Sequence, residues 1–224
     1  MKKWWRTYFA QNRNIIAFSF TILAAVIIFG IIFHNPVSTM LDNGQYDVIL
    51  PECGLDYIRS QGKDISAHYY SIPLEEFAIE YIPVSSLLQF KPVHSIVYPA
   101  SIVSVFCRIF GLPFSTRYLA VVQAIGILFG FYILLKSLYT WLRGKTIYVG
   151  FLACLVLFGG DYVVPLNSLY PQAMFSVSFF LFVAFTARAF ALIDENQPLG
   201  IRTIAPVFVS SLLLLTSCEQ AVFI

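Results

Sequence analysis

Three short stretches hold the side chains best suited to chemistry. They are LDNGQYDVIL at 41–50, LNSLYPQ at 166–172 and TSCEQ at 216–220. Asp42 is a carboxylate that can take a proton from a hydroxyl as a general base. Gln45 and Asp47 follow it as side chains that can bind a polar substrate. Asn167, Tyr170 and Gln172 offer amides and a phenol, and Glu219 and Gln220 add a carboxylate and an amide. Together they suit positioning and activating a hydroxyl for group transfer. Arg59, Lys91 and Arg117 are weaker candidates for binding a phosphate group, with His94 and Arg108 beside them. A guanidinium suits two-point contact with phosphate.

Each residue also has a local explanation. Asn43-Gly44 is a turn signal, and Asp42 can serve that turn alone. Asn167 and Ser168 can cap a helix starting near Pro171, where proline fits the first turn. Glu219 and Gln220 can mark a helix end at the water boundary. The five basic residues can anchor the chain at a membrane surface. No P-loop, G-x-S-x-G, H-E-x-x-H or dinucleotide fingerprint occurs. Cys53, Cys107, Cys154 and Cys218 form no C-x-x-C pair, so the sequence offers no metal motif and no evident cofactor; a divalent cation is left open. A net charge of +2 without a Lys/Arg run speaks against nucleic acid.

The elements that must position these residues are membrane helices. The chain is 58% hydrophobic and 12% charged, against about 25% charged in a soluble domain. A spanning helix takes roughly 20 apolar residues. Runs at about 15–34, 118–140, 147–164, 173–193 and 203–217 are expected to span. The run from Ile15 to Phe33 is too long for a signal peptide and has no cleavage site. The run 96–112 is short, contains Pro99 and Arg108, and ends at Gly111 and Pro113.

Orientation turns on that run. If 96–112 does not cross and the N-terminus is cytoplasmic, nine basic residues lie inside and five outside. If it crosses, six lie inside and eight outside. The positive-inside bias favours the first arrangement. Residues 35–117 then form one extracytoplasmic loop with an interfacial helix at 96–112. The part 35–95 carries eight acids against three bases. All three polar stretches then open toward one aqueous space. The expectation is a single membrane domain over 1–224, an all-α polytopic bundle, multi-pass in a bacterial cytoplasmic membrane. The chain reads as the N-terminal part of a longer protein.

A basic start, one span, an Asp-bearing outer loop, then HSIVYPASIVSVFCRIFGL and STRYLAVVQAIGILFGFYILLKSL form a distinctive order. This order resembles the N-terminal module of GT-C-type membrane glycosyltransferases, in particular bacterial hexosyltransferase-like proteins of glycan biosynthesis. DNGQY is similar to an Asp-x-Gly-Asp-Phe loop, NSLYPQA to Asn-Ser-Leu-Tyr-Gly-Glu-Ala, and LLTSCEQAVFI to a Thr-Ser-Lys-x-Gln stretch. The resemblance implies a polyprenyl-phosphate sugar donor, a glycan or lipid acceptor, and Asp42 as base or orienting group for the acceptor hydroxyl. The chain departs from that pattern at Gln45, Pro171-Gln172 and Cys218. An amide hydrogen-bonds but takes no proton at neutral pH. Two other readings stand beside transfer: a transporter or flippase component for lipid-linked glycans, and a non-catalytic membrane scaffold. The scarcity of ionisable residues in the spans argues against ion-coupled transport.

Overall fold

The computed structural model describes residues 2–34, 46–56, 76–79 and 94–217. It is an all-α polytopic bundle. Among the described residues its main helices are α1 (Lys2–Ile32), α2 (Tyr46–Cys53), α3 (Val97–Phe110), α4 (Thr116–Leu142), α5 (Thr146–Leu157), α6 (Pro171–Asp194) and α7 (Ile201–Leu215). Among the described residues, three stretches are long and apolar enough to cross a membrane: Asn12–Ile32, Thr116–Leu157 and Pro171–Asp194. Helix α1 has 31 residues, about 46 Å at 1.5 Å per residue, and begins well before the apolar run expected at 15–34. Its inward face carries the buried Ala17, Ala24, Ile28 and Ile32, while Phe18, Ile22 and Val26 face outward. Apolar side chains on both faces suit a helix between protein and lipid.

The stretch Thr116–Leu157 is a hairpin of two helices. Arg143 has φ 50 and breaks α4, and a 3-10 turn over Arg143–Lys145 reverses the chain. The reversal brings the Phe158 ring back to 4.9 Å from that of Phe131. Helix α5 then runs alongside α1, with Gly150 against the Phe20 ring. The helix expected through 147–164 stops at Leu157. After Gly159-Gly160, one α-helical turn (Gly160–Val163) and a 3-10 turn (Val164–Asn167) follow. The paired glycines favour helix poorly, and Pro165 supplies no N–H for a continuing helix. Phe158, just past the end of α5, is buried against Phe131 and Phe180, whereas Gly160, Asp161 and Tyr162 beyond it are exposed.

Helices α4 and α6 run parallel and in close contact. Gly126 faces Val177, and Gly130 faces Leu181 one turn on. Small residues let the backbones approach, which is how helices pack where lipid removes the hydrophobic drive.

The two ends of the bundle are chemically distinct. At one, Arg13 Nη1 lies 2.9 Å from Glu195 Oε1, and Arg13 Nε donates to the Lys136 carbonyl. Thr140 donates to Glu195, and Trp141 Nε1 to Asp194. At the other, the Ser95 N–H donates to the Thr216 carbonyl at 3.1 Å. The Leu169 N–H donates to the Tyr46 hydroxyl at 3.2 Å.

A small antiparallel sheet in the order β1 (Leu55–Asp56), β2 (Glu76–Ile79), β3 (Phe114–Ser115) stitches the first loop to the start of α4. Leu55 pairs with Ile79, and Phe77 with Phe114. Nothing in the residue pattern signals these strands, which are two to four residues long.

Helix α3 covers most of the ambiguous run 96–112. Its buried face is Val97, Ala100, Val103, Ser104 and Cys107, and Gly111 ends it in the left-handed region at φ 63. The Leu112 N–H then reaches back to the Cys107 carbonyl at 2.9 Å, a Schellman-type close. Both of its ends belong to one end of the bundle. Ser95 is bonded to Thr216, and Phe114 pairs with Phe77, whose ring lies 5.9 Å from that of Tyr46.

Candidate functional site

The site is assembled from the backbone of 164–171 outward. Ser168 Oγ donates to the Pro165 carbonyl at 2.5 Å and accepts from the Tyr170 N–H at 3.3 Å. These two bonds fold the segment into a compact turn. Tyr170 is extended, at φ −68 and ψ 138, as the residue before a proline prefers. Pro171 opens α6, and no side chain caps that helix. Ser168 therefore shapes the turn, and the capping role expected for Asn167 and Ser168 is not what α6 uses.

Asn167, Ser168, Leu169 and Tyr170 are buried, Tyr170 to 2% exposure. Gln172, one residue into α6, is exposed. The cover over Tyr170 is Tyr46, the first residue of α2 and itself 1% exposed. The two rings lie 5.3 Å apart at 49°. Phe77 joins Tyr46 edge-on at 5.9 Å, and Phe114 joins Phe77 at 6.3 Å. Pairs in this distance range are favourable beyond their buried area. This aromatic layer covers the end of the turn, so reaching Tyr170 from its side requires displacing it.

Of the residues singled out in the sequence, Asn167 and Tyr170 meet here, with Gln172 at the margin. Arg117 stands half-buried in the first turn of α4, whose start is capped by Ser115 Oγ accepting from the Arg117 N–H at 3.2 Å. Asp47 lies in α2, next to Tyr46. Asp42, Gln45, Arg59, Lys91, Glu219 and Gln220 lie outside the described residues. Tyr46 is the contact that sequence reasoning missed. Its signal was its place as the aromatic closing DNGQY, whose acid had drawn the attention.

Two further polar features belong to the helices that carry the site. His94 Nδ1 lies 2.8 Å from Glu52 Oε2, pinning the end of α2 to the residues before α3. His94 is thus engaged with a carboxylate. On α4, Gln123 is 2% exposed, and neither its Oε1 nor its Nε2 has a hydrogen-bond partner among the described residues. A buried amide in that state is costly. Among the described residues no three His, Cys, Asp or Glu side chains gather as a metal site.

Cys53, at the end of α2, is a free and fully buried thiol. Burial, then the neighbouring Glu52 charge, pushes its pKa far above the ordinary thiol value. The thiolate is the reactive form. Maleimide at mildly alkaline pH is expected to label Cys53 on the order of a hundredfold more slowly in the native protein than after denaturation. Equal rates would mean that α2 does not stay docked. The raised value also fixes a pH trend. The unfolded thiol ionises at about pH 8.5 and the folded thiol only higher, so this group's contribution to stability falls as pH rises past that point.

No curated protein and no solved structure matches the chain. A family model described as the YfdI N-terminal transmembrane domain matches residues 2–224. A broken-helix membrane bundle of this kind, matched from residue 2 to its last residue, belongs to the YfdI N-terminal transmembrane domain family.

Proposed function

We propose that the chain is the membrane module of a glycosyltransferase, moving a hexosyl unit from a polyprenyl-phosphate donor to a glycan or lipid acceptor at the Tyr170 end. The observation that carries the reading is the meeting of three distant segments at one end of the bundle. The Leu169–Tyr46 bond joins the NSLYPQ turn to the residues after Asp42, and the Ser95–Thr216 bond brings in the start of TSCEQ. Asp42 precedes Tyr46 by four residues, a covalent reach of at most about 14 Å. Gln123 supports the reading as a buried polar group near that end without a protein partner among the described residues.

In this reading the Tyr170 end faces outward. Arg13, Lys136, Arg143, Lys145, Arg188 and Arg202 all belong to the opposite end, as a cytoplasmic face requires. Asp42 takes or orients the acceptor proton, Asn167 and Tyr170 line the bound sugar once Tyr46 has moved, and Gln172 lies at the rim. Asp47, Gln45, Glu219 and Gln220 complete the polar wall. Arg117, with Arg59 and Lys91, serves the donor phosphate.

The test is radiolabelled hexose transfer in membranes holding the full-length protein. Asp42→Ala is expected to lower transfer by about 10²–10⁴-fold, the range of a lost general base. Equal transfer by both proteins would remove Asp42 from the mechanism. The burial of Asn167, Ser168 and Tyr170 favours a second reading, a scaffold whose outer turn is a structural latch. Absence of transfer by the wild-type protein with every lipid-linked hexose supplied would select it.

A further inference from the structure

We propose that the Arg13 end of the bundle binds the phosphate of one anionic phospholipid, held between Lys136 on α4 and Arg188 on α6. The parallel register carries the argument. The contacts of Gly126 with Val177 and of Gly130 with Leu181, continued along both helices, bring Lys136 level with Ala187, the residue before Arg188. Arg13 and Arg188 are the cationic neighbours of Lys136, and Glu195 is its acidic one.

The acids at this end are already engaged. Glu195 accepts from Arg13 at 2.9 Å and from Thr140 at 3.0 Å, and Asp194 accepts from Trp141. Among the described residues, neither Lys136 nor Arg188 has a carboxylate within ion-pair distance. Two like charges side by side near the membrane edge repel strongly where water is scarce. An anion between them turns that repulsion into two attractions.

The geometry favours a lipid over a dissolved ion. Lys136 Nζ lies 5.8 Å from the centre of the Tyr132 ring, one turn deeper along α4. That ring supplies a partial cation–π partner and no negative charge. Both cations sit six residues before the ends of their helices, about 9 Å along the axis. Arg188 is exposed on the flank of the bundle, which lipid surrounds. A headgroup phosphate enters from that side, with its acyl chains lying along the apolar surface, and the guanidinium can grip it at two points.

The test uses the full-length chain purified in a neutral detergent, with phosphatidylglycerol and phosphatidylcholine of matched acyl chains read by native mass spectrometry. The wild type is expected to retain phosphatidylglycerol preferentially. The double variant Lys136→Gln/Arg188→Gln is expected to lose about tenfold or more of that preference. Lys136→Arg keeps the charge and should keep it, as should Arg143→Gln, which alters an exposed residue in the neighbouring turn. The melting temperature of each variant separates lost lipid from lost fold. No preference in the wild type, or an undiminished preference in a folded double variant, would overturn the proposal. So would displacement of the lipid by excess inorganic phosphate, which would mark a simple anion site.

Discussion

Tyr46→Ala is expected to expose the Leu169 amide and lower stability by about 3–5 kcal/mol, the range for deleting a buried aromatic side chain. The substitution removes two things at once. The ring that packs at 5.3 Å on Tyr170 and 5.9 Å on Phe77 disappears, and so does the hydroxyl that accepts from the Leu169 N–H. Tyr46→Phe separates them. It keeps the ring and leaves a buried N–H without its acceptor, at a cost of about 1–3 kcal/mol. Hydrogen exchange followed by mass spectrometry is the direct readout. Peptides spanning Leu169 should lose protection in both variants, and peptides from the middle of α4 should change little. Unchanged protection at Leu169 in Tyr46→Ala would show that something other than Tyr46 keeps this turn from water. The same variant bears on function, because a site closed by Tyr46 should admit small polar reagents faster once the ring is gone.

Gly150→Ala gives the second large effect, and there two opposing terms must be weighed. In a helix interior, alanine is favoured over glycine by about 1 kcal/mol. A Cβ at position 150, however, would lie 2.8 Å from Cδ2 and 2.9 Å from Cγ of Phe20. Cγ sits close to the α1 backbone, so turning the ring does not relieve the clash, and α1 and α5 must move apart. Overpacking of this kind costs about 1–3 kcal/mol, which exceeds the propensity gain at all but its lower end. The movement also disturbs the Cys154 thiol, which points at the Phe20 carbonyl from 3.7 Å. The expected result is a lower unfolding midpoint in detergent. Gly30→Ala supplies the control, since a Cβ there meets nothing within 4 Å and only the propensity term acts. Phe20→Leu combined with Gly150→Ala should recover part of the loss. A Gly150→Ala protein as stable as the wild type would mean that α1 and α5 are farther apart than described.

Composition and run length alone determined the class of this protein. A chain 58% hydrophobic and 12% charged has one solvent in which apolar surface on every face is stable, and that is lipid. The approximate places of α1, α4, α6 and α7, and the stop of α3 at Gly111, could also be read directly, because each depends on local residues: apolar length, proline at a helix start, glycine at a helix end. Tertiary structure decided the rest. A run through 147–164 looks like one span by hydropathy, yet it breaks at Gly159-Gly160, since hydropathy measures affinity for lipid and is blind to backbone geometry. The strands of the first loop pair residues far apart in sequence and bear no periodic signal. The polar turn at 166–172 read as a surface facing water. The burial of its Leu169 and Tyr170 under Tyr46 follows from a contact across 123 residues, whose energy appears only once both segments have arrived at the same end of the bundle.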